Sequence, residues 1–405
     1  MQTALKVKLS IFMFLQYFIW GSWYVSMGSY LEKGLKFDGA EIGLAYGAFA
    51  IGAMIAPFFV GLIADRYFAS EKLLGVLGLL GAGLMFLLAQ VEERQFNQFY
   101  GLLILYCATY VPTLALGNSL SLHQLVDAKT AFPRVKTLSA VGWIAGGIAV
   151  STIGAENSHQ QFYLAGGLSI VFALFAFTLP HTPPKKVGAV SIGEILGLDA
   201  LALLGKRSFA IFIGCMFLIC IPLYFYFVNL HIYLGELNWS RAAAKMTLAQ
   251  VSDVVFLFVL PFMLRSVGYK VTIFVGILAW ATRYFFLTQS ATSEREIQTA
   301  LIFAAIILHG VCYDFLFIAG QLYVDDESNE RMRGAAQGFI AFILWRIGGF
   351  VGTMIAGQVQ GHYTSPGGAA HDWQSIWIIP AIGASAVLVI FLIFFRNPPA
   401  PPATP

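Results

Sequence analysis

Charge is what this chain has least of. Asp, Glu, Lys and Arg make up 11% of its 405 residues, where a soluble domain carries roughly 25%. With 58% hydrophobic residues, a water-soluble fold could not hide so much apolar surface, so lipid is the solvent for most of the chain. The scarcity of polar sequence leaves no room for a soluble domain of ordinary size beside the apolar stretches. Cysteine is scarce too. Cys107, Cys215, Cys220 and Cys312 all lie in apolar stretches, with no C-x-x-C pair, which excludes a disulfide framework and a zinc site. They read as small buried hydrophobes. A net charge of +3 is too small and too spread out for nucleic acid. Neither a G-x-S-x-G elbow nor an H-E-x-x-H pair is present, so the motifs of an embedded hydrolase are missing. The chain is not expected to be an enzyme, and no cofactor or metal is expected.

What is present is a run of long apolar stretches. Six fall near 9–31, 41–64, 73–91, 99–122, 137–154 and 161–180. Polar sequence follows, and six more fall near 209–234, 243–264, 271–290, 299–323, 334–358 and 374–395. Each approaches the roughly 20 residues that cross a bilayer. The fold class expected is an all-α membrane protein with twelve transmembrane helices in two six-helix bundles, residues 1–180 and 208–405, joined by a cytoplasmic linker at 181–207. The first stretch is too long for a signal-peptide core and reads as a retained span.

Charge placement orients these spans. With both termini cytoplasmic, Lys33, Lys36, Arg94, Arg241, Lys245 and Arg295 lie outside, and Arg283 and Arg346 fall within spans. The remaining sixteen of the 24 Lys and Arg residues lie inside, which obeys the positive-inside rule. The two halves also echo each other. Pro57-Phe58 answers Pro261-Phe262, Cys107-Ala-Thr-Tyr answers Cys312-Tyr-Asp-Phe, and Trp143-x-x-Gly-Gly answers Trp345-x-x-Gly-Gly, at offsets of 204, 205 and 202 residues. Three matches at nearly one offset point to a duplicated six-helix unit, as in transporters built from parallel repeats. Gly142-x-x-x-Gly146 and Gly348-x-x-x-Gly352 put small residues on one helical face, where two helices can approach closely.

Charges inside the spans are the main clue to chemistry, because one in hydrocarbon costs about 2.5–3.5 kcal/mol even on the mild insertion scale. Asp253 and Asp314 are the carboxylates well inside a span. An anion is expensive there, so either can hold a proton near neutral pH and give it up on hydration, as proton coupling requires. Gln250 shares a helical face with Asp253, and His309 shares one with Tyr313. The competing reading makes the two acids static partners of Arg283 or Arg346. Lys136, after Phe132-Pro133-Arg134, opens span 5 and can equally sit at the cytoplasmic surface. Trp20, Trp23, Trp143, Tyr224, Tyr226 and Tyr313 are candidate cavity aromatics. The run Asp325-Asp326-Glu327 reads as a solvated loop.

Gly61-Leu-Ile-Ala-Asp65-Arg66-Tyr67, between spans 2 and 3, resembles the G-x-x-x-D-R signature of the major facilitator superfamily. There Asp65 and Arg66 would latch the cytoplasmic side. Further stretches carry a closer likeness: Phe14 to Trp23 (FLQYFIWGSW), Leu35 to Ala40, Tyr110 to Leu116, Thr178 to Pro183, Leu196 to Ala200, Ala279 to Arg283, Ala335 to Gly338 and Asp372 to Gln374. Over nearly its whole length the chain resembles bacterial nucleoside:proton symporters of that superfamily. The resemblance implies the major facilitator fold, a location in the bacterial inner membrane, and import of a nucleoside-like small molecule with a proton by alternating access. It implies a monomer whose partners are the bilayer and that substrate. By resemblance, the family's Arg, Thr and Phe of span 5 fall on Lys136, Ala140 and Trp143, so the hydroxyl is lost. Its span 7 Gln and Asn fall on Pro222 and Phe225 and are lost. Its span 8 pair is matched by Gln250 and Asp253, and its span 10 Tyr, Phe and Asp fall on His309, Tyr313 and Asp314. Lys136, Trp143, Gln250, Asp253, His309 and Tyr313 are then the expected substrate contacts near the bilayer midplane, with Asp314 and Asp253 exchanging the proton. Because a site built on hydrogen bonds discriminates strongly, these losses leave a sugar or another small polar metabolite, by symport or facilitated diffusion, as the alternative.

Overall fold

The computed structural model describes residues 2–59, 68–184, 193, 198–329, 332–365 and 370–396. Among them the secondary structure is almost wholly helical. The helices are α1 (Gln2–Gly21), α2 (Met27–Lys33), α3 (Gly39–Phe59), α4 (Ser70–Leu88), α5 (Phe96–Gln124), α6 (Ala128–Thr152) and α7 (Gln160–Ala176). After a 3₁₀ stretch (Leu198–Gly205) come α8 (Arg207–Glu236), α9 (Ala242–Met246) and α10 (Leu248–Ser290). The last helices are α11 (Arg295–Ile307), α12 (His309–Tyr313), α13 (Ala319–Glu327), α14 (Arg333–Ala341), α15 (Gly349–His362) and α16 (Trp373–Phe394). Two π-helical stretches, Asp314–Ile318 and Phe342–Gly348, join α12 to α13 and α14 to α15.

Ten of the described helical runs are long and apolar enough to cross a membrane. The longest, Ala242–Ser290, is broken at Gly268, whose φ of 74° is a left-handed value that glycine tolerates and other residues resist. It therefore supplies two spans. The apolar α7 is a shorter helix of 17 residues. Counting both, twelve spans result, as the apolar pattern predicts. Saturated hydrogen bonding within each helix is what lets these segments sit in hydrocarbon.

Two boundaries differ from the sequence expectation, for local reasons. The first span is divided: α1 ends at Gly21, and the Ser22 hydroxyl, donating to the Ile19 carbonyl at 2.8 Å, helps close the helix before α2 begins. Span 5 starts well before Lys136, because Asp127 caps α6 by accepting from the Thr130 amide and hydroxyl. Pro133 is carried inside the helix. Lys136 thus lies two turns into α6 rather than at its opening.

By contact density the chain forms two compact units. One comprises residues 1–195, 224–247 and 345–371; the other comprises 196–223, 248–344 and 372–405. Their borders fall at irregular backbone: beside Pro222 in α8, between α9 and α10, and inside the π-helical stretch 342–348. In the first unit α1 runs along α6 and α3 along α5 and α15. The α1–α6 contact depends on glycine. A Cβ on Gly142 would come within 2.2 Å of the Phe14 carbonyl, and one on Gly146 within 2.7 Å of the Phe18 carbonyl. In the second unit α10 packs on α11, α12 and α16, and a Cβ on Gly310 would come within 2.5 Å of the Ser252 carbonyl. All four cysteines are free and buried. The 325–327 run is ion-paired at the surface: Arg333 meets Asp325 at 2.9 Å and Lys206 meets Glu327 at 2.7 Å.

Gly142→Ala is therefore expected to destabilise the protein by about 1–3 kcal/mol, since backbone has to move. Gly167→Ala, where a Cβ meets nothing within 4 Å, is the control and should leave the melting temperature in detergent unchanged. Equal melting temperatures for both variants would contradict the close α1–α6 contact.

Candidate functional site

In the second unit the intramembrane charges gather around α10, α12 and the π-helical stretch that follows. Arg283 is fully buried. Its Nη1 donates to His309 Nδ1 at 2.8 Å, which makes Nδ1 the acceptor and leaves the ring proton on Nε2 in the neutral imidazole. The guanidinium also lies over the Trp280 ring, 5.3 Å from its centroid, a favourable place for a cation. Trp280 is fixed in turn, its indole N–H donating to the Cys312 carbonyl at 3.0 Å. His309 stacks on Tyr313 with centroids 5.9 Å apart, as expected for residues one turn apart.

Asp314, 3% exposed, begins the π-helical stretch directly after Tyr313. Asp253 is half-buried on α10, one turn after Gln250, which is also half-buried. Asp253 interacts electrostatically with both Arg283 and Asp314. One oxygen of each acid, Oδ1 of Asp253 and Oδ2 of Asp314, is buried without a hydrogen-bond partner among the described residues. An ionised carboxylate so placed is costly, so this cluster can accept a proton. Widened helical turns of this kind recur at functional sites. The sequence reading left the partners of the two arginines open. Arg283 pairs with His309 and lies within electrostatic range of Asp253, whereas Arg346 donates through Nε to the Ala53 carbonyl at 2.6 Å within the first unit.

In the first unit, Lys136 is not at the surface. Its Nζ donates to the Tyr17 hydroxyl at 2.9 Å and to Asn118 Oδ1 at 3.1 Å, and it lies 4.5 Å from the Tyr17 ring centroid. Trp143 meets Trp20 edge-to-face at 5.0 Å and Tyr24 at 6.1 Å, while Trp20 stacks on Phe49 at 4.3 Å. This aromatic box is half open, since Trp20 and Trp143 are only partly covered. Trp23 and Tyr226, candidates from composition, belong to the core at 1% and 2% exposure. Tyr17, Asn118 and Phe49 went unrecognised. Tyr17 and Trp20 are one turn apart on α1, and that spacing was the available signal. The expected latch residues Asp65 and Arg66 lie outside the described residues.

A profile of the nucleoside H+ symporter family matches residues 1–400. The chain belongs to this family. It is accordingly a proton-coupled transporter and a multi-pass membrane protein, not an enzyme. YegT of Escherichia coli (strain K12) is 37% identical over 401 residues, covering 96% of this chain and 93% of that protein. The nucleoside permease NupG of the same organism is 32% identical over 408 residues, covering 97% and 96%. The crystal structure of the nucleoside transporter NupG superposes with a TM-score of 0.87 at 31% identity, over 97% of this chain and 100% of that one. A D-xylose–proton symporter at 14% identity and a TM-score of 0.71 shares the fold.

The arrangement makes the Arg283–His309 pair a structural support for the acids. His309→Phe keeps a ring against Tyr313 but leaves the guanidinium one acceptor short. It is expected to cost about 1.5–3 kcal/mol, the worth of a hydrogen bond to a charged group, read as a lower melting temperature. An unchanged melting temperature would show that the pair carries no structural load.

Proposed function

We propose that this transporter imports nucleosides with protons, and that Asp314, supported by Asp253, carries the proton. The observation behind the assignment is a buried and a half-buried carboxylate, each with one buried oxygen unpartnered among the described residues, near one buried guanidinium. One cation for two acids leaves the cluster short of positive charge when both are ionised. A proton restores the balance, and like charges held close do not both ionise readily. Protonation of the pair from one face of the membrane and release to the other is what symport requires. We assign both termini to the cytoplasm on the distribution of Lys and Arg, and residues 1–180 and 208–405 to the two repeats joined by 181–207.

The substrate class is read from the first unit taken by itself. There the Trp143–Trp20 box supplies flat apolar faces suited to a nucleobase, and Lys136 supplies a cation already held by Tyr17 and Asn118. The aromatic box favours a base-bearing substrate over a sugar alone. NupG, named as a nucleoside permease, supports the same class, as does the xanthosine permease of Escherichia coli (strain K12), 30% identical over 97% of this chain.

Proteoliposome uptake tests both parts. Asp314→Asn should abolish uphill accumulation driven by a proton gradient while retaining counterflow exchange; full proton-driven accumulation by this variant would remove Asp314 from the mechanism. Trp143→Ala should raise the KM for a nucleoside about tenfold, equivalent to ~1.4 kcal/mol, the order expected for a lost aromatic stack. An unchanged KM, or D-xylose competing better than uridine in the parent protein, would favour the sugar reading.

A further inference from the structure

At the end of the first unit opposite the N-terminus, three helix ends meet on one imidazole. The His371 side chain is 1% exposed. Its Nε2 lies 3.1 Å from Glu32 Oε1, at the end of α2, and its Nδ1 contacts Glu236 Oε1, at the end of α8. Gln360 of α15 completes the group: its amide Nε2 is 3.0 Å from Glu32 Oε1 and 3.2 Å from His371 Nε2. The histidine is set in place by an isolated backbone bridge to Thr364 and by the Ser365 amide donating to the Ala370 carbonyl at 2.8 Å. An open cavity of about 680 Å³ borders Glu32, Glu236 and Gln360, so water reaches the group.

The geometry points to a second proton site, a clasp in which protonated His371 ties Glu32 to Glu236 and so holds the outer ends of α2 and α8 together during transport. This inference takes its sidedness from the proposed orientation, which puts these helix ends outside the cell. Only an imidazolium has two N–H groups, and both ring nitrogens face a carboxylate oxygen. Neutral imidazole can serve one carboxylate; at the other nitrogen a lone pair faces an anion. Gln360 supplies the alternative state. Once Nε2 has lost its proton it can accept the Gln360 N–H, and Glu32 is then released. One amide thus serves either arrangement, and the proton decides which forms.

Burial pulls the His371 pKa down, but the hydrogen bonds that its ring donates to Glu236 and Glu32 outweigh it and push the value up to about 9. With the clasp broken, an ordinary histidine titrates near about 6.5. The clasp is therefore fully favoured below about pH 6.5 and is lost as pH rises through about 9. Lys33, Lys36, Asp38, Glu93 and Arg94 line the same cavity. His362 on α15 is exposed and turned against Tyr363. External acidity thus favours a tied outer end, and alkalinity frees it.

The direct test needs neither substrate nor flux, so it stands apart from the assignment of Asp314. The full-length protein, labelled at histidine with ¹⁵N and held in nanodiscs, is titrated by NMR, and the His371 signal is identified by its loss in His371→Gln. Titration near pH 9, moving toward about 6.5 in the Glu32→Gln/Glu236→Gln variant, supports the clasp. Titration of the parent His371 at or below the ordinary value overturns it, whatever the variants do. Nucleoside counterflow at equal pH on both sides gives the functional readout. From pH 6.5 to 9.5 the ratio of parent to His371→Gln rates should rise by about tenfold or more. A flat ratio overturns the role in transport while leaving the titration result intact.

Discussion

An ionised group in hydrocarbon has to be balanced or neutralised, and this one constraint orders most of what is distinctive in the chain. A sequence so poor in charge keeps Asp253, Asp314, Arg283, Arg346 and Lys136 inside its spans. Arg346 is answered by a backbone carbonyl, and Arg283 by an imidazole, an aromatic face and a carboxylate. The second acid adds a negative charge without adding a cation. In the proposed function, that imbalance is what lets the cluster take up and release a proton.

The surrounding architecture serves this imbalance. Gly310 brings the His309 end of α12 against the Ser252 backbone of α10, so residues more than fifty positions apart in sequence share one buried patch. The π-helical turn beginning at Asp314 shifts the register of the side chains that follow. Trp280, held by the Cys312 carbonyl, fixes the floor beneath Arg283. Each contact is modest alone. Together they bring the acids and Arg283 into one patch of the second unit.

Much of the fold was legible because the bilayer imposes it. Twelve apolar stretches read from sequence match the helices to within a few residues in most cases, since hydrocarbon thickness sets span length. Breaks within the helical runs were less legible. A helix ending at Gly21, a break at Gly268, and two π-helical turns leave little trace in apolar periodicity. Among the candidate residues, type alone singled out the acids, because carboxylates in spans are rare. They could not assign partners. By sequence Lys136 fits an interfacial lysine equally well, but α6 begins at Ala128 and carries it two turns inward to Tyr17 and Asn118. Arg283 and Arg346 were equivalent in sequence, and only the packing of α10 against α12 told them apart. The His371 clasp was invisible for a different reason. Its members come from three helix ends and a connecting segment, and no spacing rule joins positions 32, 236 and 371.

The central claim is that a proton crosses with each substrate molecule because the buried acids require it. The most direct measurement is proton movement itself. A pH-sensitive dye is enclosed in proteoliposomes with no imposed gradient, and a nucleoside is added outside. Acidification of the lumen that tracks nucleoside entry, and that disappears when Asp253 and Asp314 are both replaced by the corresponding amides, is the predicted result. Nucleoside entry with no change in luminal pH in the parent protein would contradict it.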